Sequence, residues 1–338
     1  SSNVDDFLSI EITKNDYLKY LILLGWMCTS TYPFIRGRLL RYLVSLLEKS
    51  PNLSQKALEL FASCNDMYVV EMIVCSIYGY LLRNRDKNEC TKIASLILNN
   101  FYVDGKAPYD ILVRQWTMLI LQYADYLNGD QAFWRKINIP FKTEDPYSLI
   151  SSRLDGDKGY FGSSDGSKRL YYTLCDFSDF NRYILGANLD SDSQIFYKKD
   201  GKVYQRIPLQ DIRDIMANII MNEYCWNDEL GELDKGIYST SRYDNKIERF
   251  GKKYLWMALY KTDALLCDHC AVSKGKYYGF GLSKQKDMAV IPYPWLTSEH
   301  STIDPSLLVE KEDDLISFNA NLLEDVDGID NEQWMNEG

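Results

Sequence analysis

The 338 residues, 46% of them hydrophobic, with a mean hydropathy of −0.31, describe a soluble globular protein of one large or two ordinary domains. The net charge of −10 is concentrated in residues 311–338, which hold nine acidic side chains and one base; the other 310 residues carry 37 bases against 39 acids, so no basic field favours nucleic acid. No signal peptide opens the chain, and its longest apolar run, near Tyr20 to Cys28, is too short for a bilayer, so a cytoplasmic protein without a membrane partner is expected.

Taken in order, residues 1–130 read as a succession of amphipathic helices. The pattern predicts helices over Asp16–Cys28, Phe34–Lys49, Ser54–Ser63, Met67–Arg83, Lys87–Tyr102 and Pro108–Asn128, broken by polar or proline-bearing turns. Starts near Phe34, Met67 and Pro108 are offset by about 33 and 41 residues, the spacing of HEAT- or TPR-like helix pairs. Residues 131–168 lose the pattern: two prolines and four glycines mark a connector or exposed loop.

Residues 169–310 read as a mixed α+β, helix-dominated part. Leu170, Tyr172 and Leu174 alternate like a short strand, and Ser178 to Gly186 like a short helix. Gln194–Lys199 and Lys202–Ile207 flank Asp200-Gly201, a hairpin signal, and Pro208 opens a helix running to about Trp226. Ile247 to Cys270 reads as one long helix, capped by Asp244 and Asn245 and apolar on two faces, so it is expected to be a central core element. A strand over Tyr277–Leu282 and an acidic tail from 311 to 338 complete the reading. The fold class expected is mainly α.

Catalytic signals are weak at each point. Gly162-Ser-Ser-Asp-Gly166-Ser-Lys168 misses the phosphate-loop spacing, and its G-x-S-x-G has polar flanks where a nucleophile elbow needs a strand and a helix. Cys267, His269 and Cys270 have metal-like spacing, but no second pair lies in sequence, and only His300 or distant cysteines could complete four ligands. D-x-K triplets at Asp104, Asp200 and Asp244 lack a second carboxylate. Hence no enzyme, cofactor or metal is expected, and the singly scattered cysteines read as buried thiols. Candidate partner contacts are the basic stripe Arg249, Lys252 and Lys253 and the aromatics Trp26, Tyr68 and Trp116; their alternative roles are a solvated helix edge and ordinary core.

The stripe belongs to a longer pattern. Arg249, Gly251, Lys252, Lys253, Tyr254, Trp256, Ala258 and Leu259, then Ala264, Leu266 and Asp268, resemble a signature of the C-terminal half of Avs antiphage NTPases of the STAND class. Phe61 to Glu71, with Asn65-Asp66 and Tyr68, is similar to an F-x-x-x-N-D-P-Y-V-x-E-R element of that region, with Met67 and Met72 departing from it. Pro108, Leu112 and Arg114 resemble the start of its P-x-x-x-L-x-R-D-Y-A-R element, from whose second half Gln115 to Met118 depart, Asp176 to Gly186 resembles a D-F-x-x-Y-x-x-G element with a small insertion, and Ile303 to Leu308 an I-D-P-S-L-L element.

The resemblance implies a sensor built on TPR-like repeats. Such a region grips a phage protein, the large terminase subunit or the portal, and its binding drives oligomerisation of the full-length NTPase and switches on an effector. The chain opens at Ser1 without a methionine and stops thirty residues past Ile303–Leu308, which reads as a fragment of such a protein. The alternative is a helical scaffold or adaptor unrelated to defence.

Overall fold

The computed structural model describes residues 14–137, 141–176, 178–186, 195–199, 202–236, 247–273 and 290–292. The expected caps Asp244 and Asn245, His300, the strand at 277–282, residues 303–308 and the acidic tail lie outside the described residues.

The first half is a two-layered array of six helices: α1 (Lys14–Met27), α2 (Pro33–Lys49), α3 (Leu53–Phe61), α4 (Met67–Asn84), α5 (Lys87–Phe101) and α6 (Ile111–Asn128). Helices α1, α3 and α5 stack in one layer and α2, α4 and α6 in the other, and each odd helix packs on the even helix after it. This is the stacked-hairpin arrangement that the helix offsets predict. Local chemistry sets the boundaries. The carboxylates of Asp66, Asp86 and Asp110 each accept a backbone N–H in the first turn of α4, α5 and α6, while Arg85 and Gly129 turn left-handed to end α4 and α6. One hydrophobic core runs through the array, from Leu21 to Phe133.

The second half holds its own core, from Leu154 to Cys270. Here α7 spans Asp165–Cys175, correcting the strand expected at 170–174: Leu170 and Leu174 are buried one helical turn apart while Tyr172 points outward. The Ser164 hydroxyl caps α7 by accepting Ser167 N–H at 3.1 Å. A π-helical segment follows at Phe180–Gly186. Strands β1 (Ile195–Lys199) and β2 (Lys202–Arg206) form the expected antiparallel hairpin, with a register shift after Tyr197. Two further strands, β3 (Cys270–Ser273) and β4 (Val290–Pro292), extend the sheet in the order β2-β1-β3-β4. Helix α8 (Leu209–Asn218) continues as a π-helix over Ile219–Glu223, and the unforeseen α9 spans Asp228–Gly236.

The expected central helix is α10, Phe250–His269, preceded by Arg249 as a cap residue without a side-chain cap bond. Leu255, Ala258, Leu259 and Leu266 point into the second core. Each fully buried leucine of that set contributes about 1.5–3 kcal/mol. Its other side meets the array through polar groups. Residues 131–168 are no free connector: Phe133 lies in the first core, Leu154 and Phe161 in the second, and Phe141 joins Ala107 and Met118 in a small cluster between.

Arg114 of α6 fixes that junction. Its guanidinium donates to Asp268 Oδ1 and Oδ2 at 3.1 Å each, to Pro108 O at 3.2 and 3.0 Å, and to Ala264 O at 3.3 Å. The Asp268 carboxylate also accepts Phe141 N–H at 3.3 Å and the Thr143 hydroxyl at 2.9 Å. Both side chains are buried. Breaking one partner of such a pair leaves a charge stranded out of water. Arg114→Met is therefore expected to cost about 3–5 kcal/mol in urea denaturation, with part regained in the Arg114→Met/Asp268→Leu double variant. A loss below about 1 kcal/mol would show that this pair does not hold the halves together.

Candidate functional site

The basic stripe of the sequence is dispersed by the fold. Arg249 donates to the buried Asp234 at 2.7 Å and to Thr173 Oγ1 at 2.9 Å, and Gly251 N–H donates to the same aspartate at 2.9 Å. Burial pulls the Arg249 guanidinium below its ordinary pKa, and Asp234 works against that pull. Lys253 is buried and donates to Thr29 O at 2.9 Å, Thr29 Oγ1 at 2.8 Å and Asp66 Oδ2 at 2.5 Å. Lys252 pairs with Glu248 one turn back at 2.7 Å. Of the three, only Lys252 keeps substantial exposure. Sequence spacing showed the bases but not the carboxylates that neutralise them, because Asp66 lies 187 positions away.

Two of the three aromatic candidates are also internal. Tyr68 is 3% exposed, with the Arg36 guanidinium 4.0 Å and the Lys253 ammonium 5.2 Å from its ring centre. Such cation–ring contacts gain strength when desolvated. Trp116 is buried against Tyr78, their ring centres 5.9 Å apart. Trp26 differs. It is 51% exposed on the outer side of α1, edge-on to Phe61 at 5.6 Å, and Ile22, Leu23 and Met27 stand exposed beside it on the same helix. On a helix these positions fall within one arc, opposite the buried Leu21, Leu24 and Cys28. A helix apolar on both faces calls for contacts on both.

The positions considered for chemistry are occupied by structure. Cys267 and Cys270 end α10 and begin β3, and burial pushes both thiols well above the usual range. The His269 ring lies 3.1 Å from the Thr143 hydroxyl, and Asp268 between them is taken by Arg114. Among the described residues no group of three or more His, Cys, Asp or Glu is placed to hold a metal.

In the glycine-rich loop, Asp228 is held by three serines. Its carboxylate accepts Ser163 N–H at 3.1 Å, the Ser163 hydroxyl at 2.9 Å, Ser164 N–H at 2.9 Å and the Ser167 hydroxyl at 3.0 Å. These bonds, Ser164 N–H foremost, hold it below the usual carboxylate range. Ser164, the formal serine of G-x-S-x-G, spends its oxygen capping α7, and a Cβ on Gly166 would lie 1.9 Å from Gly231 O, so α7 and α9 touch backbone to backbone there. The loop is a fixed crossing.

Two acids stand beside these aromatics: Asp110 is buried, and Glu71, hydrogen-bonded to Trp116, is half-buried. Glu71 of α4 is raised from 4.5 to about 7, by burial first and then by Asp110, against opposing terms from Arg36 and a hydrogen bond with Trp116. Asp110 is raised from 3.8 to about 6 by burial, although the N–H groups of Val113 and Leu112 and the Arg114 charge favour its ionised form. Both carboxyls hold protons more tightly folded than unfolded. The stability they supply is complete below about pH 4 and is lost as pH rises through about 6 to 7. Glu71→Gln keeps the shape without the charge. It is expected to match the unaltered chain near pH 4 and to exceed it by at least about tenfold in the folded-to-unfolded ratio at pH 8. Denaturant titrations of both proteins across that range measure the difference, and parallel pH profiles would rule the assignment out.

Compared with known protein families, with curated proteins and with solved structures, the chain finds no match.

Proposed function

We propose that this chain is a protein-binding sensor region of the kind that ends Avs antiphage NTPases. In this reading it recognises a phage protein, the large terminase subunit or the portal, carries no chemistry of its own, and passes binding on as oligomerisation of a full-length NTPase. The observation that supports the reading is where the resemblance residues meet. Asp66 of the N-D element bonds Lys253 of the G-K-K-Y element, and Arg114 of the P-x-x-x-L-x-R element bonds Asp268. Segments far apart in sequence thus form one interlocking set, as a shared folded unit requires. A helical array also offers an extended surface suited to gripping a protein by its shape.

Co-expression of the chain with a panel of phage large terminase subunits and portal proteins, followed by affinity pull-down and size-exclusion chromatography, tests this. One stable complex is expected, and substitution of Trp26 by Ala is expected to leave the fold intact while reporting whether the outer α1 face takes part. A folded chain that binds none of them would move the assignment to a helical scaffold outside defence.

A further inference from the structure

The two layers of the helical array differ in the side chains they turn outward. On the odd layer, α5 exposes Lys87, Lys92, Ser95 and Asn99, the polar mixture of an ordinary surface. On the even layer the outward stripes are aromatic and arginine-bearing. Helix α4 is buried almost all round, and its half-buried Glu71, Tyr78 and Leu82 fall on one line at helical spacing. Leu119, Tyr123 and Tyr126 make the matching line on α6. On α2, Arg38, Arg41 and Lys49 lie opposite the buried Leu39, Leu43 and Leu47.

The rings continue from one helix to the next. Tyr78 packs on Trp116 and Tyr123 of α6, with ring centres 5.9 and 6.5 Å apart, and Tyr126 stacks on Tyr123 at 6.3 Å. The row starts buried at Trp116 and ends at Tyr126, which is 78% exposed. Protein interfaces concentrate Tyr, Trp and Arg and their binding energy falls mostly on those residues, whereas free surface is richer in Lys and Glu. The even layer has the first composition and α5 the second.

The charge of this face is positive. Its α2 edge holds Arg38, Arg41 and Lys49, and the one acid of that helix, Glu48, is bonded to Arg83 of α4. On α6, Asp125 is buried under the N–H groups of Phe133 and Trp134. Burial pushes Glu71 of α4 up to about 7, so it is only partly ionised at neutral pH. Three helices of 17 or 18 residues side by side span about 26 Å by about 28 Å, on the order of 700 Å², close to the roughly 800 Å² that each partner gives to a stable protein interface.

We propose that the outward face of α2, α4 and α6 docks an acidic segment of a protein partner, with Tyr78, Tyr123 and Tyr126 taking its apolar side chains and Arg38 and Arg41 its carboxylates. Arginine suits that task because its planar fork meets a carboxylate at two points. Packing of the Arg38 guanidinium 4.7 Å from the Phe34 ring centre holds one such fork in place. The assignment rests on the protein-binding part of the sensor reading alone, since it fixes the face and the charge of the partner and not its origin.

Selection of a displayed library of random peptides on the unaltered chain, followed by titration of the enriched sequences, tests it. Those sequences are expected to combine a net negative charge with large apolar residues. Arg41→Glu and Tyr126→Ala alter exposed side chains, so unchanged thermal midpoints are expected, and each is expected to weaken the selected peptides at least about tenfold. Lys92→Glu on α5 is expected to leave their affinity unchanged. Enrichment of basic or neutral sequences, enrichment of none, or acidic sequences that bind both variants as tightly as the unaltered chain overturns the proposal. The panel of phage proteins separates this failure from that of the sensor reading. A terminase or portal complex that survives both substitutions refutes the face and leaves the reading standing; acidic peptides held by a chain that binds no protein of the panel do the reverse.

Discussion

The buried pair of Arg114 and Asp268 decides how the two halves of this molecule meet. A guanidinium has five N–H donors in a rigid fork, and here each finds an acceptor: two at Pro108 O, one at Ala264 O and one at each oxygen of Asp268. The carboxylate accepts four bonds in return, two of them from the 141–143 segment. Burying such a pair is costly unless every donor and acceptor is used, and that condition specifies geometry. The last helix of the array, the segment that leaves it and the end of α10 can meet in one register only. Helices α7, α8 and α9 and strands β1 and β3 of the second half then pack against α10.

The remaining contacts along that seam follow the same logic at its other end. Lys253 enters the array between Thr29 and Asp66, and Glu248 N–H donates to Thr31 O at 3.2 Å. The two sides of α10 therefore do different work. Leucines and alanines supply burial toward the second core, which is insensitive to direction. Lysine and aspartate meet the array through bonds that fail if α10 slides by a turn. Two apolar cores joined by a polar seam keep their identities and a fixed alignment at once.

This division explains what could be read from the sequence. The helices of the array were legible because each buries one stripe against a neighbour in its own layer or pair, and its caps lie within four residues of its start. The hairpin was legible for the same local reason. The 165–175 helix reads as a strand because Leu170, Tyr172 and Leu174 fit a period of two as well as one helical turn, and the deciding signal, Ser164 capping Ser167, lies outside the alternating window. Helix α9 carries no clear sequence signal, since its first turn is acidic and few of its side chains are buried; it is held by backbone proximity at Gly231. The partners of Arg114, Lys253 and Arg249 were illegible because no local rule pairs residues 154, 187 or 15 positions apart.

The same contacts bear on what a signature of this kind means. Arg249, Lys253, Asp66, Arg114 and Asp268, on which the proposed assignment rests, are all committed inside the fold. To lend one to a ligand would strand its partner in a buried or half-buried setting, at a cost of about 3–5 kcal/mol for the most enclosed pair. That exceeds what one surface contact returns, since exposed ion pairs contribute only about 0–1 kcal/mol. Residues that build the seam are thus unavailable for choosing a partner. In the proposed sensor, choice of partner would rest on side chains with little role in the fold, such as Trp26, half-exposed on a helix whose opposite face is buried.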